Sequence, residues 1–188
     1  MRLLIVPRWS GTGDSDFYPW LREQVADAFT DIEAASLRPT PGAPEIAPCV
    51  AELRARLSED RERTVLLGHS VGNQVVMRTL AELPGPAVAG CLLVAGWYRV
   101  DEPWDSIRPW IDAPIDDERV RAMAGPLRVL VSTDDRFTAD HEATRAAFES
   151  RLGARVRVVE GRDHFNASPQ PEVLEELRAL LAAVRTGS

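Results

Sequence analysis

The sequence predicts an α/β fold, with a parallel sheet of about six strands and helices on both faces in a three-layer sandwich. Short apolar runs typical of strands alternate with longer segments whose apolar residues recur at helical spacing. The strand-like runs are apolar at consecutive positions, as expected for strands that are covered on both faces. The 188 residues suffice for a substantial core, so we expect a single domain over residues 1–188.

The individual elements follow this rhythm along the chain. Strands are predicted, in order, at residues 2–7, 32–37, 64–68, 90–96, 127–133 and 154–160. Helices are predicted at residues 17–29, 49–57, 73–83, 141–152 and 171–184. The proline-rich segment 39–48 is predicted to be a loop, because proline lacks the amide proton that regular structure uses.

One connection is much longer than the others. Between the fourth and fifth predicted strands lies a segment that we call the insert, residues 97–124, which holds Trp97, Trp104 and Trp110. Long connections in compact domains usually carry function or cover a site. We therefore expect the insert to lie over a site like a cap. The alternative is that its tryptophans only pin a proline-rich loop to the core.

The composition argues against several functions. The chain has a net charge of −7, and all 22 of its basic residues are arginine. An acidic chain is a poor partner for nucleic acid, so none is expected. The absence of lysine excludes lysine Schiff bases and the lysine of phosphate-binding P-loops. Cys49 and Cys91 lack metal-binding spacing, so neither a disulfide nor a zinc site is expected.

The apolar segments are too short for a membrane span or a secretory leader. The N-terminal apolar run covers only residues 3–6, whereas a leader needs roughly 7–15 apolar residues and a span about 20. We therefore expect a cytoplasmic protein with no membrane partner. The oligomeric state is not predictable from these features.

The clearest functional signal is the motif GHSVG at residues 68–72, between a predicted strand and a predicted helix. This strand–turn–helix setting is the one that a nucleophile elbow requires. The two glycines leave room for a tight bend, which would hold Ser70 strained and accessible at a helix N-terminus. The N–H of Val71 would then be one donor to an oxyanion. The alternative is a serine that merely caps the helix.

A nucleophilic serine needs an acid and a base, which follow it along the chain in that order. His164 follows the sixth predicted strand, and reactive groups of an open parallel sheet gather at the carboxyl ends of strands. His69 lies inside the elbow and His141 inside a predicted surface helix, so neither fits. Asp134 and Asp135 both follow the fifth predicted strand, and either would orient the imidazole. A metal site built from these aspartates and His141 lacks further ligands and is not expected.

Short motifs spread from the first strand to the last loop carry a family resemblance. They are VP at 6–7, PWL at 19–21, GHSVG at 68–72, STDD at 132–135 and DHFN at 163–166. With these motifs the chain resembles the α/β-hydrolases, in particular the small serine hydrolases similar to retinoblastoma-binding protein 9. The resemblance implies a compact α/β-hydrolase fold with six strands. It also implies that Asp135, the second of the paired aspartates, is the triad acid.

The chain departs from that family at three loop positions. Arg8 and Asp163 stand where the family usually has glycine, and Arg136 stands where it has proline. The loop after the first strand is expected to supply the second oxyanion donor, the N–H of Trp9. Arg8 therefore raises the question of whether this loop keeps the geometry that the donor needs.

The insert suggests what the substrate looks like. Its Trp97, Trp104 and Trp110 are candidates for an apolar acyl pocket over Ser70. The insert also holds seven acidic residues, namely Asp101, Glu102, Asp105, Asp112, Asp116, Asp117 and Glu118. If these residues rim the entrance, they disfavour substrates that carry phosphate, such as coenzyme A thioesters; otherwise they form a solvated surface. We expect a small-molecule substrate with a neutral, apolar acyl group.

The sequence thus predicts a serine hydrolase of the esterase or thioesterase type, with Ser70 as nucleophile, His164 as base and Asp135 as acid. It would cleave a carboxylic ester, a thioester or a related acyl bond through an acyl-enzyme, without a metal or an organic cofactor. Two alternatives stay open. One is a hydrolase-fold binding protein with weak or no catalysis, and the other is an acyltransferase or cyclising thioesterase that uses the same serine.

Overall fold

Six parallel strands form the central sheet of the protein, seen in a computed structural model that describes residues 1–57 and 60–186. Their bounds are β1 Arg2–Val6, β2 Asp31–Ala34, β5 Thr64–His69, β6 Gly90–Val94, β7 Leu127–Ser132 and β8 Arg155–Val159. They lie in the order β2-β1-β5-β6-β7-β8, and each neighbouring pair is parallel. Two further strands, β3 Pro39–Thr40 and β4 Ala43–Pro44, form a separate antiparallel hairpin.

Helices cover both faces of this sheet. Within the described residues they are α1 Tyr18–Gln24, α2 Ile46–Arg56, α3 Val71–Glu82, α4 Arg108–Asp112, α5 Asp117–Met123, α6 His141–Leu152 and α7 Pro171–Thr186. Successive side chains of β1 enter opposite cores. Leu3 and Ile5 belong to the core that contains α1 and α7, whereas Leu4 and Val6 belong to the core that contains α2, α3, α5 and α6. This arrangement confirms the predicted three-layer α/β fold.

The first helix is shorter than the sequence predicts. α1 ends at Gln24, and a 3₁₀ turn at Ala26–Ala28 follows it. Val25 and Phe29 are nevertheless buried in the core beneath α1 and α7. The apolar spacing therefore indicates which side of the segment is buried. It does not indicate where the α-helix ends, because the burial continues past the last α-helical hydrogen bond.

The segments predicted as loops contain short regular elements. The hairpin of β3 and β4 and the first turn of α2 lie within residues 39–48. Pro48 fits inside that first turn, because the first amide protons of a helix have no intrahelical acceptor. In the insert, α5 begins where the Asp116 carboxylate accepts a hydrogen bond from the Arg119 N–H at 3.0 Å.

Two features of the described residues bear on what the chain can do. No helix within residues 1–57 and 60–186 is long and apolar enough to cross a bilayer. Cys49 and Cys91 are buried, free thiols, and burial raises the pKa of each. Because only a thiolate is strongly nucleophilic, neither cysteine is a reactive centre in this fold.

A buried polar pair lies between α1 and the sheet. Tyr18 begins α1 and His69 ends β5, both are fully enclosed, and the Tyr18 Oη lies 2.7 Å from the His69 Nδ1. Burial, followed by the charges of His164 and Arg8, holds the pKa of His69 well below its usual value of 6.5. Burial also raises the pKa of Tyr18 above its usual range. Both side chains are therefore neutral in the folded protein.

The neutral state of His69 predicts a loss of stability in mild acid. Above pH 6.5 neither the folded nor the unfolded state binds a proton at His69. Below that pH only the unfolded state does, so the free energy of unfolding falls by up to about 1.4 kcal/mol per pH unit. We expect urea unfolding between about pH 6.5 and pH 5 to show a shallower fall for His69→Gln than for the wild type.

The matched control is His141→Gln, at the partly exposed first residue of α6, which should keep the wild-type slope. Carboxylates with a lowered pKa, namely Glu33, Asp134 and Asp163, lose their contribution only in stronger acid, below about pH 4. The titration of these carboxylates therefore does not change the slope that is measured between about pH 6.5 and pH 5. Equal slopes for the wild type and His69→Gln would contradict the assignment of His69 as a group that stays neutral.

Candidate active site

The turn between β5 and α3 holds Ser70 in a conformation that L-amino acids rarely adopt. Its backbone has φ 55° and ψ −118°. The Ser70 N–H donates to the Val94 carbonyl at 3.0 Å, which ties the turn to the end of β6. A Cβ on Gly72 would lie 2.1 Å from the Val6 carbonyl oxygen, and one on Gly68 would lie 2.5 Å from the Asn73 Oδ1. Only glycine permits this close crossing over β1.

The hydroxyl of Ser70 does not cap the helix that follows it. In the described structure the Ser70 side chain makes no capping hydrogen bond to α3, although the residue stands at the N-cap position. The side chain is 8% exposed and borders a cavity of about 330 Å³. The helix-capping alternative therefore does not describe this serine.

His164 and Asp135 form a buried pair at the neighbouring strand ends. The His164 Nδ1 lies 2.8 Å from the Asp135 Oδ2, and both side chains are almost fully enclosed. The other carboxylate oxygen, Asp135 Oδ1, accepts from the Phe137 N–H at 2.9 Å. Since a carboxylate accepts, His164 carries its proton on Nδ1 and keeps a lone pair on Nε2. Among the described residues, that Nε2 has no hydrogen-bond partner.

The second aspartate of the pair has a different task. The Asp134 Oδ1 accepts from the Ser132 hydroxyl at 2.6 Å and from the Asp163 N–H at 2.8 Å. These two bonds, led by the one from Ser132, lower the pKa of Asp134. Asp134 therefore joins the loop after β7 to the loop after β8, while Asp135 contacts the imidazole.

Ser70 and His164 line the same cavity, but no hydrogen bond joins their side chains in the described structure. Nucleophile–base hydrogen bonds are often long in proteins without substrate and shorten when substrate binds.

Beside this serine, two backbone N–H groups have no acceptor among the residues that the structure describes. In the loop after β1, Arg8 donates its N–H to Tyr18 Oη. The N–H groups of Ser10 and Gly11 donate to the carbonyls of Pro41 and Arg8, respectively. Among the described residues, neither the Trp9 N–H nor the Val71 N–H has an acceptor in the protein. Trp9 and Val71 both line the cavity with Ser70. The structure thus brings both sequence-predicted oxyanion residues to its wall.

The three departures from the family pattern are paired within the chain. The Arg8 guanidinium binds both oxygens of Asp16, with Nε–Oδ2 at 2.7 Å and Nη2–Oδ1 at 3.0 Å, and its Nη1 donates to the Trp9 carbonyl. Arg136 and Asp163 pair with each other through two hydrogen bonds, one of them Nε–Oδ1 at 2.9 Å. This pairing, led by the Arg136 hydrogen bond, lowers the pKa of Asp163. The Arg8 guanidinium is therefore held by Asp16 and by the Trp9 carbonyl.

The cavity is mostly apolar, and the insert supplies much of its wall. Trp97 and Trp104 line it as predicted from the sequence. Four further residues that were not predicted from the sequence also line it, namely Val100, Ile107, Phe137 and Asn166. Phe137 packs edge-on against the His164 ring, with the ring centres 4.7 Å apart. Apolar residues in loops carry no sequence signal that distinguishes a cavity wall from core packing.

The prediction for Trp110 is wrong. Its ring is buried away from the Ser70 cavity and borders a second cavity of about 440 Å³. The reason is the anchoring of α4 by Arg78, whose Nη2 donates to the carbonyls of Trp110 and Ala113 at 2.7 and 2.8 Å. This contact turns Trp110 into the core. Trp110 therefore fits the alternative in which the tryptophans of the insert pin a proline-rich loop to the core.

The acidic residues of the insert do not rim the cavity. None of the seven is among the described residues that line it. Asp101 accepts from the Ala139 N–H at 2.7 Å, Asp116 caps α5, and Asp117 pairs with Arg151 at 2.7 Å. The expected repulsion of phosphate-bearing substrates at the entrance therefore has no basis in this structure.

No metal centre is evident near these side chains. Within residues 1–57 and 60–186, no three His, Cys, Asp or Glu side chains cluster in a way that would hold an ion. The Asp134 and Asp135 carboxylates are instead engaged with Ser132, Asp163, Phe137 and His164.

Solved structures share this fold at low sequence identity. The ydeN gene product from B. subtilis is 19% identical, with 96% of this chain and 98% of that chain covered and a TM-score of 0.84. A carboxylesterase from the ammonia-oxidizing thaumarchaeon Nitrososphaera gargenis is 15% identical, with coverage of 100% and 92% and a TM-score of 0.74. Est1E from Butyrivibrio proteoclasticus, solved with ferulic acid bound, is 12% identical, with coverage of 98% and 89% and a TM-score of 0.70. At such identities the likeness concerns the fold alone.

Sequence comparison identifies the family. A search among curated proteins finds no match. The sequence model of the serine hydrolase family matches residues 3–183, which is nearly the whole chain. Together with the six-stranded fold, this match shows that the chain belongs to the serine hydrolase family of α/β-hydrolases.

Proposed function

We propose that the protein is an esterase or thioesterase that cleaves a carboxylic ester, a thioester or a related acyl bond through Ser70, His164 and Asp135. One observation carries the proposal. The buried Asp135 fixes the proton of His164 on Nδ1, so the Nε2 lone pair is available to the cavity into which the strained elbow projects Ser70.

In the first half of the reaction, the Ser70 Oγ attacks the carbonyl carbon of the substrate while His164 Nε2 takes the hydroxyl proton. Asp135 keeps the imidazole oriented and stabilises its positive form. The tetrahedral oxyanion accepts hydrogen bonds from the Val71 and Trp9 N–H groups. When the intermediate collapses, the bond to the leaving alcohol or thiol breaks, and His164 returns its proton to that group.

In the second half, water attacks the carbonyl carbon of the acyl-enzyme. His164 Nε2 takes one proton from this water, and the same two N–H groups hold the second oxyanion. Collapse breaks the bond to the Ser70 Oγ, which regains a proton from His164, and the carboxylic acid leaves. If an alcohol or amine replaces water at this step, the same residues perform acyl transfer, so analysis of the products distinguishes the two reactions.

Substitution of the proposed triad tests this function. We expect a fluorophosphonate probe to label the wild type and Ser70→Ala to abolish both labelling and ester turnover. Asp135→Asn should lower kcat by about 10⁴-fold, because an amide no longer fixes the imidazole tautomer. Asp134→Asn is the matched control. It keeps an oxygen that accepts from Ser132 and Asp163, so it should retain most of the activity.

Two results would reject this assignment. A wild type that the probe does not label would favour a binding protein with the hydrolase fold. Equal losses in the Asp134→Asn and Asp135→Asn variants would remove the distinction between the two aspartates.

We propose that the acyl group is neutral and apolar. Indole rings of Trp9, Trp97 and Trp104 and the side chains of Val100 and Ile107 line the cavity. Arg8, the one arginine among the described residues that line it, is held by Asp16 and the Trp9 carbonyl. A carboxylate on the acyl chain would therefore be desolvated without a free counter-charge, which is costly.

Matched esters test this preference. We expect kcat/KM for para-nitrophenyl hemiglutarate to be about 100-fold below that for para-nitrophenyl pentanoate, because the two differ by a terminal carboxylate in place of a methyl group. Trp104→Ala should raise KM for the pentanoate, whereas Trp20→Ala, at a partly buried residue outside the cavity, should not. Equal kcat/KM for the two esters would contradict a neutral acyl site.

A further inference from the structure

A chain of three hydrogen bonds, two of them buried and one partly buried, runs behind Ser70. The Arg8 N–H donates to Tyr18 Oη at 3.2 Å, Tyr18 Oη lies 2.7 Å from His69 Nδ1, and His69 Nε2 lies 2.8 Å from the His164 carbonyl oxygen. The Tyr18 and His69 side chains have no exposed surface. This series of bonds begins at the N–H of Arg8, the residue before Trp9, and ends at the carbonyl of His164. It therefore connects the loop of a proposed oxyanion donor to the proposed base.

The direction of these bonds follows from the groups that form them. A carbonyl oxygen only accepts, so His69 carries its proton on Nε2 and donates to His164. His69 is neutral, so its Nδ1 accepts the proton of the Tyr18 hydroxyl. The Tyr18 oxygen in turn accepts from the Arg8 N–H. With a neutral His69, each group in the three bonds therefore has one role.

The two ends of the chain show what the bonds fix. At one end, the bond from Arg8 to Tyr18 holds the peptide that precedes the one carrying the Trp9 N–H, and that N–H has no protein acceptor in the described structure. At the other end, both neighbours of His164 are non-glycine residues in the left-handed region, Asp163 at φ 47° and Phe165 at φ 56°. Such a backbone persists only where its surroundings hold it, and His69 holds the carbonyl between these residues.

We propose that Tyr18 and His69 are positioning residues that set the Trp9 N–H and the His164 imidazole relative to each other on either side of Ser70. This inference rests on the proposed function. Neither residue contacts the reacting atoms, because both lie outside the cavity lining and act through Arg8 and His164. Loss of the bonds misplaces the oxyanion donor and the base, which are needed in the transition state more than for binding of the ester.

Tyr18→Phe is the sharpest test, because it keeps the ring that packs against Phe17 and removes only the hydroxyl. We expect kcat to fall about 10- to 100-fold while KM for para-nitrophenyl pentanoate stays within about threefold. His69→Leu, which removes both bonds of the imidazole, should lower kcat at least as much. His69→Gln keeps a side-chain donor and should restore part of the loss. The double variant Tyr18→Phe/His69→Leu should lose less kcat than the product of the two single losses, because the two residues share one bond of the chain.

The matched control is Tyr98→Phe, which removes a hydroxyl that meets Asp117 at 3.3 Å outside the Ser70 cavity, and it should keep the wild-type kcat. Circular dichroism and urea unfolding establish that each variant is folded under assay conditions. Wild-type kcat in folded Tyr18→Phe and His69→Leu would overturn the inference while Ser70→Ala remains inactive and the proposed function stands. A wild type without turnover or labelling would overturn the proposed function and this inference with it.

Discussion

The close crossing of the β5–α3 turn over the end of β1 is the constraint on which the site depends. Gly72 lies so near the Val6 carbonyl that any side chain there would collide with it, and the tight path leaves Ser70 with a positive φ. Two consequences follow from the same geometry. The Ser70 side chain borders the cavity without capping α3, and the first N–H of that helix, on Val71, has no acceptor among the described residues. Because β1 ends beside this turn, the loop that follows β1 brings Trp9 to the wall of the same cavity.

The remaining parts of the site come from strands on the far side of β5, so bonds between loops must hold them in place. Asp135 follows β7 and His164 follows β8, and they meet directly. Asp134 and Arg136 each bind Asp163, which fastens these two loops to each other. The bonds through Tyr18 and His69 then connect His164 to the loop after β1. Of the residues that depart from the family pattern, Arg136 and Asp163 take part in these contacts, and Arg8 is paired with Asp16.

Much of this could be predicted from the sequence, because parallel strands place their carboxyl ends at one edge of the sheet. The alternation of strands and helices predicts the three-layer fold, the GHSVG motif between a strand and a helix selects Ser70, and the strand-end rule selects His164. The choice of Asp135 over Asp134 came from the family resemblance. The rule does not extend to the insert. Trp104 and Trp110 have the same local signal, and only the contact of Arg78 with the carbonyls of α4 decides that Trp110 turns inward. The partners of Tyr18 and His69 were equally hidden, because they are 51 residues apart in sequence and meet only when α1 packs on the sheet.

The central claim is that Ser70, the base and the two N–H donors converge on one reacting carbon, and a crystal structure of the enzyme after reaction with a fluorophosphonate tests it directly. We predict phosphorus bonded to the Ser70 Oγ, with the phosphoryl oxygen about 3 Å from the Val71 and Trp9 nitrogens and the His164 Nε2 directed at the Oγ. Phosphorus on another residue, or a phosphoryl oxygen turned away from both nitrogens, would contradict the account.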